Sequence, residues 1–215
     1  MVAALAAGDR VLGRPLDGAS IVARAANLEA RVIGAPTGTQ DYLSALDGGL
    51  GVVHFDAEGP RRTRLSIELA ELSRRLVIVH SGLPHDSALN NWAVTKGYID
   101  GLSEVVEPLH EIAEVAGELA TRLTQGALDA TGPLIAREWA ARKRLAPGVT
   151  TDTIEGFGAL ALDAGAEAFK ACGAGGGGAV LFWTSPDRRD AVESALRRAG
   201  AMVLGARPDS RGIVV

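Results

Sequence analysis

The stretch KACGAGGGGAVLFW, residues 170–183, limits the fold more than any other part of the chain. Gly175 to Gly178 run together just after Gly173, and the chain then turns abruptly apolar. Glycine reaches positive φ and permits close backbone approach where a Cβ would obstruct both. A two-residue hairpin needs only one or two glycines, so the run exceeds what such a turn requires. A flexible linker is a poor fit, because strongly apolar residues follow at once. Two readings stay open. The loop can surround an anion such as phosphate with backbone N–H groups. It can also be a bulged turn between strands at 167–172 and 179–183.

Around this loop the pattern is mixed. A short apolar segment, residues 1–7, resembles the tail of a helix ending near Gly8, with no N-cap before it. Ser20 is a plausible cap for the next helix, in which Ile21, Ala25, Leu28 and Val32 fall on one face. LGVVHFD reads as a strand, AEGPRRT as a turn, and RLSIE as the following strand. Residues 75–81, RLVIVHS, form a buried strand that opens a second domain. From 87 to 165 the spacing is helical. Val105, Leu109, Ile112, Ala116, Leu119 and Leu123 share a face, and Pro108 either opens that helix or kinks it. Thr151 or Asp152 caps the last helix of this run, and the chain ends as strand 167–172, glycine turn, strand 179–183, helix 186–199 and strand 201–205. From residue 76 the order is β, several helices, β, β, α, β. This predicts an α+β fold, an antiparallel sheet with helices on one face, divided as residues 1–74 and 75–215.

The totals exclude several classes. A net charge of -4 gives no reason to expect nucleic acid or an anionic membrane as partner. No apolar run approaches the roughly 20 residues that span a bilayer. The single Cys172 forms no internal disulfide, which suits a reducing, cytoplasmic setting. Aromatics are only 4% of the chain and glycines number 27, so alanine and leucine must carry the core.

Further candidates lie outside the glycine run. In GAPTGTQDY, Asp41 sits on a small-residue turn, where a carboxylate can accept a proton from a substrate hydroxyl. Taken alone, the segment favours Asp41 as the cap of a helix beginning at Tyr42. Glu29, at the edge of its helical stripe, is a metal ligand, a solvated residue or a partner of Arg24 or Arg31. His80 and His85 flank SGLP without metal-ligand spacing, so no zinc site is expected. Asn90, Asn91 and Trp92 form a polar pocket edge or a loop entering a helix. Arg137, Arg142, Lys143 and Arg144 either suit a helix C-terminus or hold an anionic substrate.

GAPTGTQDYLSALDGGL followed by KACGAGGGGAVLF resembles the GHMP small-molecule kinases, and within them the branch of D-glycero-D-manno-heptose 7-phosphate kinases. The likeness covers nearly the whole chain. It implies a ferredoxin-like C-terminal domain and the remaining part of an N-terminal domain like domain 2 of ribosomal protein S5. It implies transfer of a phosphoryl group from ATP, with Mg2+, to a hydroxyl of a sugar or sugar phosphate. Asp41 matches the family's catalytic aspartate and Glu29 the position of an acidic magnesium ligand. Gly38 in the first motif, with Gly173, Ala174, Gly175, Gly176 and Gly177 in the second, matches positions that shape the phosphate and substrate site.

The sequence also departs from the family. Its phosphate loop, Pro-x-x-x-Gly-Leu-Gly-Ser-Ser, is absent from these residues, and Tyr42 replaces the glutamine usual after the aspartate. The expectation is a kinase truncated just after that loop, with apolar surface exposed and self-association as a result. The alternative is a non-catalytic remnant that binds a sugar or docks on a subunit.

Overall fold

The computed structural model describes residues 1–14, 17–34, 37–83 and 87–214, without the side chains of residues 87–91. His85 and the side chains of Asn90 and Asn91 therefore lie outside the described residues. The chain divides into two compact units, Met1–Leu69 with Pro208–Val215, and Ala70–Arg207. The sequence reading divides at 74/75 and leaves the C-terminal residues with the second unit. In the structure they return to the first, where Gly49 N–H donates to the Asp209 carbonyl at 2.7 Å and Ile213 N–H to the Leu46 carbonyl at 3.2 Å.

The first unit begins with helices α1 (Val2–Val11), α2 (Gly18–Ile33) and α3 (Gln40–Asp47). Val2, Ala6, Ile21, Val22, Ala25 and Tyr42 form its core, with Leu46 and Ile213 packed against them. Helix α1 runs past Gly8, where the sequence suggests an end. The cap of α2 is Asp17, whose side chain accepts from Ser20 N–H at 3.2 Å; Ser20 is the recipient of the cap and not its source. Ile21 and Ala25 are buried as expected, but Leu28 and Val32 are exposed. The cause is length: sixteen residues of α2 against ten of α1 leave the last turns of α2 beyond the helix that covers its start.

A hairpin of β1 (Gly51–Asp56) and β2 (Gly59–Arg64) follows, paired antiparallel from Gly51↔Arg64 to Asp56↔Gly59. GPRRTR is thus the strand, and the turn is only Ala57 and Glu58. The sequence conceals this because β2 is polar and largely exposed, so it lacks the apolar alternation that signals a strand. Its proline is tolerated because this pair has open edges.

The second unit opens with α4 (Leu69–Arg75) and β3 (Leu76–His80). Helices α5 (Ser87–Ile99), α6 (Ser103–Thr124), α7 (Thr131–Lys143) and α8 (Asp152–Asp163) lead to β4 (Ala166–Ala171). Then come β5 (Ala179–Thr184), α9 (Arg189–Arg198) and β6 (Met202–Leu204). The sheet order is β4-β5-β3-β6 with every neighbour antiparallel, so the expected β, helices, β, β, α, β order and the α+β class hold. Its core joins Val77, Val79, Val180 and Phe182 of the sheet to Trp139, Ile154, Val192 and Leu196 of the helices. Thr151 caps α8, its hydroxyl accepting from Ile154 N–H at 3.3 Å. Pro108 lies inside α6, which starts at Ser103. The buried row is Val105, Pro108, Val115 and Leu123, so the proline itself packs inward and Ala116 faces out. Among the described residues no helix is long and apolar enough to cross a membrane.

An ion pair links α1 to α2 in the first unit. Asp9 of α1 is buried, and Arg24 of α2 grips it through both nitrogens of its guanidinium fork, Nη1 at 3.0 Å from Oδ1. The hydrogen bond from Arg24 outweighs burial and holds the Asp9 carboxyl below its ordinary value of 3.8. Because the folded value is lowered, this stabilisation is complete above the unfolded value and is lost as pH falls through the folded one. Urea denaturation followed by circular dichroism between pH 7 and pH 3 should therefore show an acid-side loss that Asp9→Asn removes, with the variant already less stable at neutral pH.

Candidate functional site

In the first unit the two carboxylates singled out by sequence lie on α2 and α3, helices joined by the hydrogen bond of Tyr42 to Glu29. Glu29 lies near the end of α2, and its Oε2 accepts from Thr37 Oγ1 at 2.7 Å and from the Tyr42 hydroxyl. Tyr42 is buried in the core, so its ring fixes the hydroxyl and the hydroxyl fixes the carboxylate. Both donors fall on one oxygen, which leaves Oε1 as the atom able to meet a cation. Asp41 is exposed in the first turn of α3. That helix begins at Gln40 after Thr39, not at Tyr42, so Asp41 is not the cap. Its carboxylate is thus uncommitted to capping. Thr39 makes no side-chain capping bond either; its hydroxyl is buried without a partner. Gly38 is exposed just before it.

Among the described residues no group of three histidine, cysteine, aspartate or glutamate side chains is placed to hold a metal. Magnesium seldom asks for one. It keeps several waters and takes one or two protein carboxylates together with phosphate oxygens, a demand that a single oriented glutamate fits.

In the second unit the glycine stretch links β4 to β5. Gly173, Gly175, Gly176 and Gly178 all have positive φ, between 70° and 81°. Cys172 N–H donates to the Ala179 carbonyl at 2.8 Å and closes the strand pair. Beyond that point the loop is tied to its surroundings. Gly176 N–H donates to the Val149 carbonyl at 2.8 Å, Gly178 N–H donates to the Leu83 carbonyl at 3.2 Å, and the Gly178 carbonyl accepts from Ser81 N–H at 2.8 Å. A Cβ on Gly175 would lie 2.1 Å from the Val149 carbonyl oxygen. The glycine excess therefore has a packing cause. The loop folds onto the segment before α8, and the donors of Gly176 and Gly178 are committed there and to Leu83.

The basic residues of α7 and its end are paired. Arg137 meets Glu111, Glu114 and Glu118, Arg144 meets Glu111, Lys143 meets Glu155, and Arg142 meets Glu138. Arg137 and Arg144 staple α7 and its end to α6, and the Arg137 hydrogen bond, chief among the causes, lowers the Glu111 carboxyl below its usual range. The His80 ring is also occupied, its Nδ1 accepting from Gly82 N–H at 3.0 Å. The sequence reading misses Glu138 and Lys170, whose charged ends meet at 2.6 Å between α7 and β4. The available signal was the lysine that opens KACGAGGGG itself.

Residues 125–201 match the family model of the GHMP kinases C-terminal domain. The chain is 27% identical over 192 residues to D-glycero-alpha-D-manno-heptose 7-phosphate kinase of Campylobacter jejuni subsp. jejuni serotype O:2, covering 87% of this chain and 56% of that protein. It thus spans little more than half the length of this curated relative. Among solved structures it resembles a D-glycero-D-manno-heptose 1-phosphate kinase from Bacteriodes thetaiotaomicron, with a TM-score of 0.72 at 21% identity over 98% of this chain and 59% of that one. It also resembles galactokinase of Lactococcus lactis complexed with galactose, with a TM-score of 0.70 at 16% identity over 96% and 63%. The resemblance read from the two motifs is borne out, and the solved structures share the fold.

The clearance at Gly175 is directly testable. Gly175→Ala places a methyl group against the Val149 carbonyl at φ +81° and should destabilise by about 2 kcal/mol or more. Gly8→Ala, inside α1 with open space around it, should stabilise by about 0.5–1 kcal/mol. Urea melts of both variants check the contrast; equal effects would remove the steric account of the loop.

Proposed function

We propose that the chain, whose residues 125–201 match the family model of the GHMP kinases C-terminal domain, carries the acceptor-handling part of an ATP-dependent kinase for a sugar or sugar phosphate. The observation that carries this reading is Asp41, an exposed carboxylate at the start of α3 that is not spent on capping. Such a group can orient the acceptor hydroxyl and receive its proton as the hydroxyl oxygen attacks the γ-phosphorus of ATP. Glu29 offers one oxygen to a magnesium ion, while Thr37 and Tyr42 keep the carboxylate from rotating. When bound, magnesium neutralises charge on the phosphate oxygens. The glycine loop contributes close approach more than hydrogen-bond donors at Gly176 and Gly178, whose N–H groups are already used. The sugar-phosphate class is suggested by the heptose phosphate kinase among its relatives.

A second reading rests on one feature of the sequence. The 215 residues contain no Pro-x-x-x-Gly-Leu-Gly-Ser-Ser segment, so by themselves they suit a sugar-binding or subunit-docking module. The two readings separate in an ADP-release assay with a panel of sugars and sugar phosphates, run on the chain joined to a phosphate-loop segment. Turnover is expected there, and Asp41→Asn should lower it by about 100-fold or more while ATP affinity stays unchanged. Unchanged turnover removes Asp41 from its role, and no turnover on any acceptor favours the module. Calorimetry on the 215-residue chain alone should find weak or no ATP binding; micromolar affinity would contradict that expectation.

A further inference from the structure

A charge cluster in the second unit has no task in phosphoryl transfer as described. Glu138 of α7 is only 8% exposed, yet it faces two cations. Arg142, one helical turn on, directs Nε and Nη2 to Glu138 Oε1 at 2.6 and 2.5 Å. Lys170 of β4 places Nζ 2.6 Å from Oε2. One carboxylate therefore serves two cations, and the cluster keeps a net charge of about +1.

The pairing is also incomplete in geometry. Oε2 accepts no well-directed hydrogen bond despite the short approach of Lys170. Lys170 has three donors and uses one direction toward Glu138. Arg142 turns Nε and Nη2 to the carboxylate, which leaves Nη1. The two side chains remain 23% and 25% exposed, so solvent or a ligand reaches them. Burial lowers the Lys170 amine below its ordinary value, with the attraction of Glu138 opposing and the repulsion of Arg142 adding to the fall. A half-buried positive charge that its partner does not fully offset is stabilised by a second anion.

The placement adds a direction. Strand β4 carries Lys170 and runs straight into the glycine loop. Helix α7 carries Glu138 and Arg142 and leads to Val149, the residue that holds Gly176. We propose that Lys170 and Arg142 form an anion subsite at the root of the glycine loop, with Glu138 aligning both cations, and that its ligand is a phosphate group. This deepens the kinase reading, since a phosphate held here comes from a phosphorylated acceptor or from the nucleotide. The binding test is independent of turnover.

The test uses the 215-residue chain and inorganic phosphate as the probe. Thermal unfolding in phosphate, against chloride at equal ionic strength, should show a saturable rise in Tm. Phosphate affinity by calorimetry should fall at least tenfold in Lys170→Met and in Arg142→Met, and Lys170→Arg should keep most of it. Should Lys170→Met fail to fold, Arg142→Gln gives the same reading from the cluster's other cation. Displacement of phosphate by glucose 6-phosphate assigns the subsite to the acceptor; displacement by ATP alone assigns it to the nucleotide. Absence of a phosphate-specific response, or full affinity in a folded Lys170→Met variant, overturns the subsite. Neither result bears on Asp41, so the kinase reading stands or falls on its own assay.

Discussion

The hydrogen bond from Gly176 N–H to the Val149 carbonyl fixes more of the second unit than its size suggests. It joins the β4–β5 connection to the segment between α7 and α8, elements far apart in the topology. The bond requires the loop to lie flat on Val149, and only a residue without Cβ fits at Gly175. The Gly178 bonds to Leu83 and Ser81 then tie the same loop to the end of β3. A run of glycines, which in isolation would be floppy, becomes a fixed surface because each end is anchored to a different element. A hydrogen bond of this kind contributes only about 1 kcal/mol net. Its structural value is that several segments share one small contact and lose their freedom together.

The first unit reaches order at its chemical residues by another route. Its carboxylates are positioned by core packing transmitted through hydroxyls. Tyr42 is anchored by Ile21, Val22 and Ala25, and its phenol reaches Glu29. Tyrosine suits this because its ring is apolar and its end is polar. Asp41, the next residue back, turns to solvent on the same helix. Adjacent positions on a helix point about 100° apart, so one turn of α3 both locks a carboxylate on α2 and presents a second one outward. The departure from glutamine at position 42 thus has a structural consequence: it ties the α3 turn to Glu29.

Much of the second unit was legible from sequence because its strands are apolar and bounded by glycine or polar turns, as in RLVIVHS and AVLFWT. β2 was not, since five of its six residues are Arg, Pro or Thr on a largely exposed pair and the register comes from β1. The cap of α2 was displaced because Asp17 and Ser20 are both good capping types, and only the path of the chain before the helix decides between them. Asp41 and the glycine loop were found by motif. What the motif did not disclose is how the loop uses its donors. Spacing records where glycines occur, whereas the Val149 carbonyl that consumes one of them lies 27 residues away in sequence. Glu138 and Lys170 were hidden for the same reason: their meeting depends on α7 packing over β4.

Charge gives the last step. The chain carries a net -4, so at long range it offers an anionic substrate no attraction. At physiological ionic strength a charge is screened over about 8 Å, and the sign that matters is local. Most basic residues around α7 are spent on stapling helices, where exposed pairs contribute little and field a phosphate poorly. Lys170 and Arg142 differ because they are partly withdrawn from water and share one carboxylate. Withdrawal weakens screening and raises the cost of leaving a charge unmatched. Within an acidic chain, a small desolvated excess of positive charge is therefore a more selective way to take a phosphate than a broadly basic surface, which would also attract other polyanions.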